Sequence, residues 1–348
     1  MSTLDQSERL RELLRTRMDD VGLRRAELLA GLNEVYVQSD NDQELDMELD
    51  LFKSYILDPQ VRDGYAVAVV GPSGAGKTTL VNQRLDSHPA FQKFDDGYGN
   101  TVQFAIRVQT PPACTPKSLG RAILGATGYD VVRTPEETDL WPLVRRRLRA
   151  KMVKVIFFDE FQHVVMAPKA KGAAHVTNTV KELMQDPEWP LWIIVAGVPD
   201  VLDVIERDQW FQMARRVRTV EIDNLANDKN DIDNTREILK ALAGSCRLKL
   251  GIPAGDEFMR RLMHGGLWRF GMTIQLIKMS IEVALFDNQA TGNLFVGHFE
   301  RGYKRLSNCS KDSNVFVVKH WHRIQRHVTK KGRISRSFEL LEEEEASE

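Results

Sequence analysis

The feature that most constrains this chain is the octapeptide Gly71-Pro72-Ser73-Gly74-Ala75-Gly76-Lys77-Thr78, which matches GxxxxGK[ST]. It directly follows an apolar run, Tyr65–Val70, and precedes the helical segment Leu80–Leu85, with Thr79 between them. A strand, a glycine-rich turn and a helix start, in that order, let backbone N–H groups converge on phosphate oxygens. The helix N-terminus adds favourable partial charge. Lys77 is then placed to reach the β- and γ-phosphates of a nucleotide, and Thr78 to ligate Mg2+. Gly71 to Thr79 are the expected nucleotide-binding residues, with ATP and Mg2+ as the expected cofactors.

The flanking sequence fits this reading. Apolar runs Tyr65–Val70, Val102–Val108, Val155–Asp159, Leu191–Ala196 and Val217–Ile222 alternate with helical stretches. Runs that are mostly continuous in apolar residues predict a parallel sheet covered on both faces, hence an α/β core of five strands. One run ends in Asp159-Glu160, so two carboxylates emerge at the C-terminal end of a strand. In parallel sheets that edge is where ligands bind. Asp159 is expected to hold Mg2+ through water, and Glu160 to orient and deprotonate an attacking water. The second acid favours ATP hydrolysis over transfer to a small-molecule acceptor.

Composition sets outer bounds. The chain has 348 residues, room for about two domains. Lys plus Arg is 48 against 49 Asp plus Glu, which excludes a uniformly basic coat for DNA. The apolar runs are strand-sized, far below the ~20 residues of a membrane span. Met1 leads into a polar segment, so no signal peptide is expected. Three cysteines, Cys114, Cys246 and Cys309, lie far apart without CxxC spacing. This fits a reducing cytoplasm and argues against a zinc site or a disulfide framework.

Four segments are expected. Residues 1–60 form a helical extension, with 1–32 read as helix from Leu10, Leu13, Leu14, Met18 and Val21. Residues 61–228 form the nucleotide-binding core. In 229–310, strand signals vanish and four helical stretches make a small helical domain. Residues 311–348 form a charged tail, basic from Val315 to Arg336 and then acidic from Glu342 to Glu345. Such opposed charge blocks are usually exposed and mobile.

Two arginine sites carry alternatives. Arg215, Arg216 and Arg218 precede or begin the last strand. They are either a solvated basic turn or the source of an arginine finger that reaches the ATP of a neighbouring subunit. Arg269, in Gly265-Gly266-Leu267-Trp268-Arg269-Phe270-Gly271, begins a long helix. It is either a surface arginine at a helix start or a group that folds over the γ-phosphate and reports nucleotide state.

These residues resemble the AAA+ ATPases of DNA transposition, the TnsC/TniB/MuB group. The phosphate loop, Asp159-Glu160-Phe161-Gln162-His163, Asn178, Lys181 and Leu183, and Gly197-Val198-Pro199 occur in the order of the TniB branch. The resemblance spans roughly 35–290. It implies an AAA+ core with a helical lid, and an ATP-dependent ring or filament on double-stranded DNA, bound without sequence preference. That assembly would recruit or license a DDE-type transposase, in some systems at a site chosen by a TniQ-like selector. Gly76, Lys77 and Thr78 match the Walker A loop, and Asp159 and Glu160 the Walker B pair. Arg216 best matches the finger, Arg215 is the near alternative, and Arg269 matches the sensor-2 arginine. One departure stands out: the family often has Gly-Thr-Pro after the fourth strand, and here Val198 removes the polar sensor-1 side chain. Either another residue polarises the water or hydrolysis is slow.

By the same resemblance, DNA would meet Lys117 and Arg121 after the second strand, Arg133 and Thr134 beyond the following helix, and Lys169 in a loop after Walker B. The denser run Arg145, Arg146, Arg147, Arg149 and Lys151 ranks lower, because that helix belongs on the outer face of the sheet. An ordinary solvated surface is the alternative for each group. The expected activity is an assembly-coupled, Mg2+-dependent ATPase that regulates transposition. The rivals are a helicase-loader or initiator-type ATPase and a nucleotide-gated signalling scaffold that never touches DNA.

Overall fold

The computed structural model describes residues 3–129, 131, 135–165, 170–206, 216–253, 255–287, 292–328 and 334–340. Contacts divide the chain into two compact units. One comprises 38–223, the other 1–37 together with 224–348. The first sixty residues, which the sequence presents as one helical extension, are therefore shared between the units.

The unit 38–223 is built on five parallel strands: β1 (Ala66–Val70), β2 (Ala105–Gln109), β3 (Val155–Asp159), β4 (Trp192–Gly197) and β5 (Val217–Glu221). Their spatial order is β2-β3-β4-β1-β5. Strand side chains alternate between faces; both faces are buried in the central strands β1, β3 and β4, whereas the edge strands β2 and β5 leave Arg107, Gln109, Arg218 and Glu221 exposed. Ala66, Ala68 and Val70 join Ile156, Phe158 and Val195 under the helices Pro116–Ala126, Glu137–Ala150 and Ala170–Met184. Val67 and Val69 join Val155, Phe157 and Ile194 under Asp40–Leu57 and Lys77–Ser87. Two dry faces explain why the three central strands read as continuous apolar runs. Fully burying a Val, Leu or Phe side chain contributes roughly 1.5–3 kcal/mol.

The acidic helix Asp40–Leu57 packs Leu45, Leu49 and Phe52 against the sheet, buries Asp42 and Glu48, and leaves Asp40, Glu44 and Asp50 exposed.

The other unit is mainly helical: Asp20–Glu34, Lys229–Ser245, Asp256–Gly265, Phe270–Leu285 and Val296–Ser307 surround Leu239, Leu262, Leu276, Ile281, Phe299 and Tyr303. A two-residue parallel pairing, Lys249–Leu250 with Asn293–Leu294, joins two of its loops. The single helix expected over 1–32 is two, Thr3–Arg15 and Asp20–Glu34. The Asp19 carboxylate accepts the Gly22 N–H and starts the second. Such a cap ends one helix and begins another within a periodic stretch. Leu10, Leu13 and Leu14 on the first are exposed.

The basic tail does not begin as a free segment. Val315, Phe316 and Ile324 are buried, with the Phe316 ring 5.6 Å from Phe258 and 5.7 Å from Phe299. The Arg261 guanidinium donates to the Val315 and Val318 carbonyls at 2.8 and 2.9 Å. A few aromatic and aliphatic anchors hold the start of the tail, where Lys319 stays exposed. Ile324–Val328 then pairs with Ile334–Leu340 as an antiparallel hairpin.

Candidate nucleotide and catalytic site

The site lies at the carboxyl ends of β1, β3 and β4. Gly76 sits at φ 107°, a left-handed value that a side chain resists, and delivers the chain into the helix Lys77–Ser87. At that helix start, Lys77 Nζ donates to the Gly71 and Pro72 carbonyls at 2.8 and 2.9 Å. The ammonium is thereby folded over the loop it serves. Thr78 Oγ1 lies 2.9 and 3.0 Å from the two Asp159 carboxylate oxygens. This contact joins the phosphate loop to the end of β3, across 81 residues of sequence. A hydroxyl and a carboxylate are hard oxygen donors of the kind Mg2+ takes, so the residues present fit the ion.

Glu160 follows with φ 54°, unusual for a residue with a side chain. Such backbone persists where the surroundings over-determine it. Here the Glu160 N–H donates to Asp159 Oδ1 at 2.9 Å. The Phe161 N–H donates to the Ala196 carbonyl at 2.8 Å, fixing the end of β3 to β4. His163 Nδ1 lies 2.9 Å from the Thr110 carbonyl, next to the end of β2. Gln162 Nε2 donates to Glu160 Oε2. The sequence placed Gln162 in a recognisable string but gave it no task. Its contact depends on the left-handed turn at Glu160, which no local pattern announced.

Other sequence-predicted residues lie elsewhere. Arg216 immediately precedes β5, and Val217 pairs with Ala66 at the start of β1. It stands at the amino edge of the sheet, about 16 Å along β1 from the phosphate loop. It forms an ion pair with Asp63 at 3.0 Å. Lys117, on the helix Pro116–Ala126 after β2, pairs with Glu136 at 3.4 Å, and Arg121 on the same helix is exposed. Arg215, Arg133, Thr134 and Lys169 lie outside the described residues. Arg269 belongs to the helical unit, half-buried at the N-cap of Phe270–Leu285. Burial pushes its guanidinium below the ordinary arginine value. The two residues before it, Leu267 and Trp268, have φ 60° and 56°, so this turn is also held in an uncommon conformation.

Three members of the dense arginine run, Arg145, Arg147 and Arg149, are held by contacts within the unit, and Arg146 is exposed. Arg145 and Arg149 each donate to the Asp186 carboxylate at 3.0 Å. Arg149 also pairs with Glu188, and the Arg147 guanidinium stacks 5.6 Å over Tyr129. Burial works to raise Asp186, but N–H bonds from Glu188 and Trp189 and the Arg149 charge outweigh it and hold the carboxyl below its ordinary value.

Fold and site together define a P-loop ATPase of the AAA+ class, with a helical domain after the core. Residues 42–227, over half of the chain, match the family described as Bacterial TniB protein, and the chain belongs to that family. No curated protein matches it. Among solved structures it is similar to the Aeropyrum pernix ORC1 protein in complex with DNA, at 14% identity and TM-score 0.59 over 82% of this chain and 70% of that one. It is also similar to the ADP form of Aeropyrum pernix ORC2, at 15% identity and TM-score 0.56 over 82% and 75%. A third likeness is to Drosophila ORC bound to DNA, at 14% identity and TM-score 0.52 over 85% and 70%. At these identities the likeness concerns the fold. Among the described residues no helix is long and apolar enough to cross a membrane.

Proposed function

We propose that this protein is an ATP-dependent, oligomeric DNA-binding regulator of transposition that marks target DNA and recruits or activates a transposase. The observation that carries the reading is the junction of Lys77, Thr78, Asp159 and Glu160 at one sheet edge in a chain of the TniB family. Gly71 to Thr79 bind the phosphates of ATP through backbone N–H groups and the Lys77 ammonium. Thr78 and Asp159 hold Mg2+, which when bound neutralises phosphate charge. Glu160 orients a water and accepts its proton as the water oxygen bonds to the γ-phosphorus and ADP leaves. Val198 offers no polar group to assist, consistent with slow turnover.

Arg216 stands too far from its own phosphate loop to act there, which supports a role at a neighbour's ATP. Arg269 serves as the nucleotide sensor of the helical domain. Lys117 and Arg121, with Arg133, Thr134 and Lys169, contact DNA phosphates without reading bases. The exposed Lys117–Glu136 pair contributes little, so the ammonium is readily given up to a phosphate. The partners are further copies of the chain, double-stranded DNA, a DDE-type transposase and, in some settings, a TniQ-like selector.

Fold likeness to ORC proteins, two of them in complex with or bound to DNA, favours an initiator-type reading in second place. The test is electron microscopy and transposition in parallel. ATP-dependent assemblies on unrelated DNA sequences, with transposition lost in Lys77→Ala, support the first reading. Assemblies without any effect on transposition support the second. No DNA association in ATP leaves the signalling scaffold.

A further inference from the structure

The departure at Val198 leaves a polar task near Glu160 without its expected side chain, and Gln162 lies where it can take it. The Gln162 amide rests against β4. A Cβ placed on Gly197 would come within 3.0 Å of Gln162 Oε1 and 2.5 Å of Val201 Cγ2. Gly197 therefore admits the amide by having no side chain, one residue before Val198. The orientation of that amide is dictated by chemistry. An ionised carboxylate only accepts, so the NH2 end must face Glu160, and Gln162 Nε2 does donate to Glu160 Oε2. Gln162 Oε1 is buried and has no hydrogen-bond partner among the described residues, so the bond to Glu160 is the amide's main anchor. The bond spans two residues and closes the left-handed turn at Glu160.

We propose that Gln162 is a positioning residue for ATP hydrolysis: its amide fixes the Glu160 carboxylate in the orientation that receives the water proton, in place of the polar side chain missing at 198. The Glu160 carboxylate sits on a side chain with three rotatable bonds, and fixing it removes the misaligned states. A misplacement of about 1 Å at a reacting group can cost 10²-fold. The inference rests on Glu160 being the base, and its test separates the two.

Four proteins are compared: Gln162→Ala, Gln162→Glu, Glu160→Gln and the Glu160→Gln/Gln162→Ala double variant. Each is read by ATP affinity, kcat, KM and thermal unfolding. Gln162→Ala should lower kcat about ten- to hundredfold, with ATP affinity within about twofold of wild type. Gln162→Glu keeps the length but sets an acceptor against a carboxylate, and should lose at least as much. The double variant should turn over no more slowly than Glu160→Gln, because a group that acts only through Glu160 has nothing left to position. Wild-type kcat in Gln162→Ala, or a further loss in the double variant, overturns the inference. Where Gln162→Ala unfolds, the near-isosteric Gln162→Glu decides: wild-type kcat there overturns it equally. Wild-type turnover in Glu160→Gln instead overturns the assignment of the base, whatever Gln162 does.

Discussion

The two edges of the parallel sheet use charge in opposite ways. At the carboxyl edge, Lys77, Thr78, Asp159 and Glu160 converge from distant segments on one small volume. Their partners are backbone carbonyls and one another, over a loop held in an uncommon conformation. At the amino edge, several charges are engaged by local partners. Arg145 and Arg149 hold Asp186, the Lys154 ammonium sits 3.9 Å over the Trp189 ring, and Arg218 pairs with Glu48 at 3.1 Å. The first pattern suits binding and proton transfer, the second stability. The densest basic run lies at the amino edge, where Arg145 and Arg149 are engaged by Asp186. Arg216 tests the distinction, because it lies at the amino edge, pairs with Asp63, and is nonetheless proposed to act on a neighbour's ATP.

The largest effect is expected from Arg216→Ala. ATP affinity should stay near wild type, because the pocket in the same subunit is intact. Hydrolysis should fall by up to the 10³–10⁵ of arginine fingers in GTPases. Mixtures of Arg216→Ala with Lys77→Ala subunits should regain some activity where an intact pocket meets an intact finger. Specific activity that is flat from dilute protein upward would place Arg216 with the structural charges of its edge.

Glu160→Gln should slow hydrolysis roughly 10²–10⁴-fold, the range of general-base catalysis. It should keep ATP and trap assemblies on DNA, visible as long-lived complexes after dilution. Lys77→Ala attacks the same edge through binding. Losing a charge-assisted contact should weaken ATP roughly 10- to 100-fold, as measured by calorimetry. Undiminished affinity would remove Lys77 from the phosphate site.

Asp186→Asn probes the amino edge. Loss of its charged bonds should destabilise the core unit by about 2 kcal/mol in denaturant unfolding, with little change in ATP affinity. The sign with pH follows from the lowered carboxyl. Its stabilisation is present above its ordinary value of 3.8 and is lost as pH falls through the lower folded value. The gap between wild type and variant should therefore narrow only in acid. The smallest effect is expected from Lys117→Ala: a loss of a few-fold in DNA affinity, equal on unrelated sequences, with a shallower salt dependence. A loss confined to one sequence would contradict contact through phosphates.

Much of the fold was legible in the order of residues, because burial on both faces leaves a continuous apolar run and a phosphate loop needs glycine at fixed spacing. Gly76, Lys77, Thr78 and the Asp159-Glu160 pair could be named from spacing alone, and all five stand at one sheet edge. What the sequence could not supply were relations between distant segments. It did not show that Arg149 would meet Asp186, 37 residues on, or that Phe316 would fill a gap beside Phe258 and Phe299 and draw a basic tail into a core. Nor did it show that Gln162 would turn its amide toward Glu160 and against Gly197. Local periodicity reports which face of an element is dry. Only tertiary packing decides which charge, ring or amide of another element arrives to meet it, because that choice depends on register and on backbone turns with no pattern of their own.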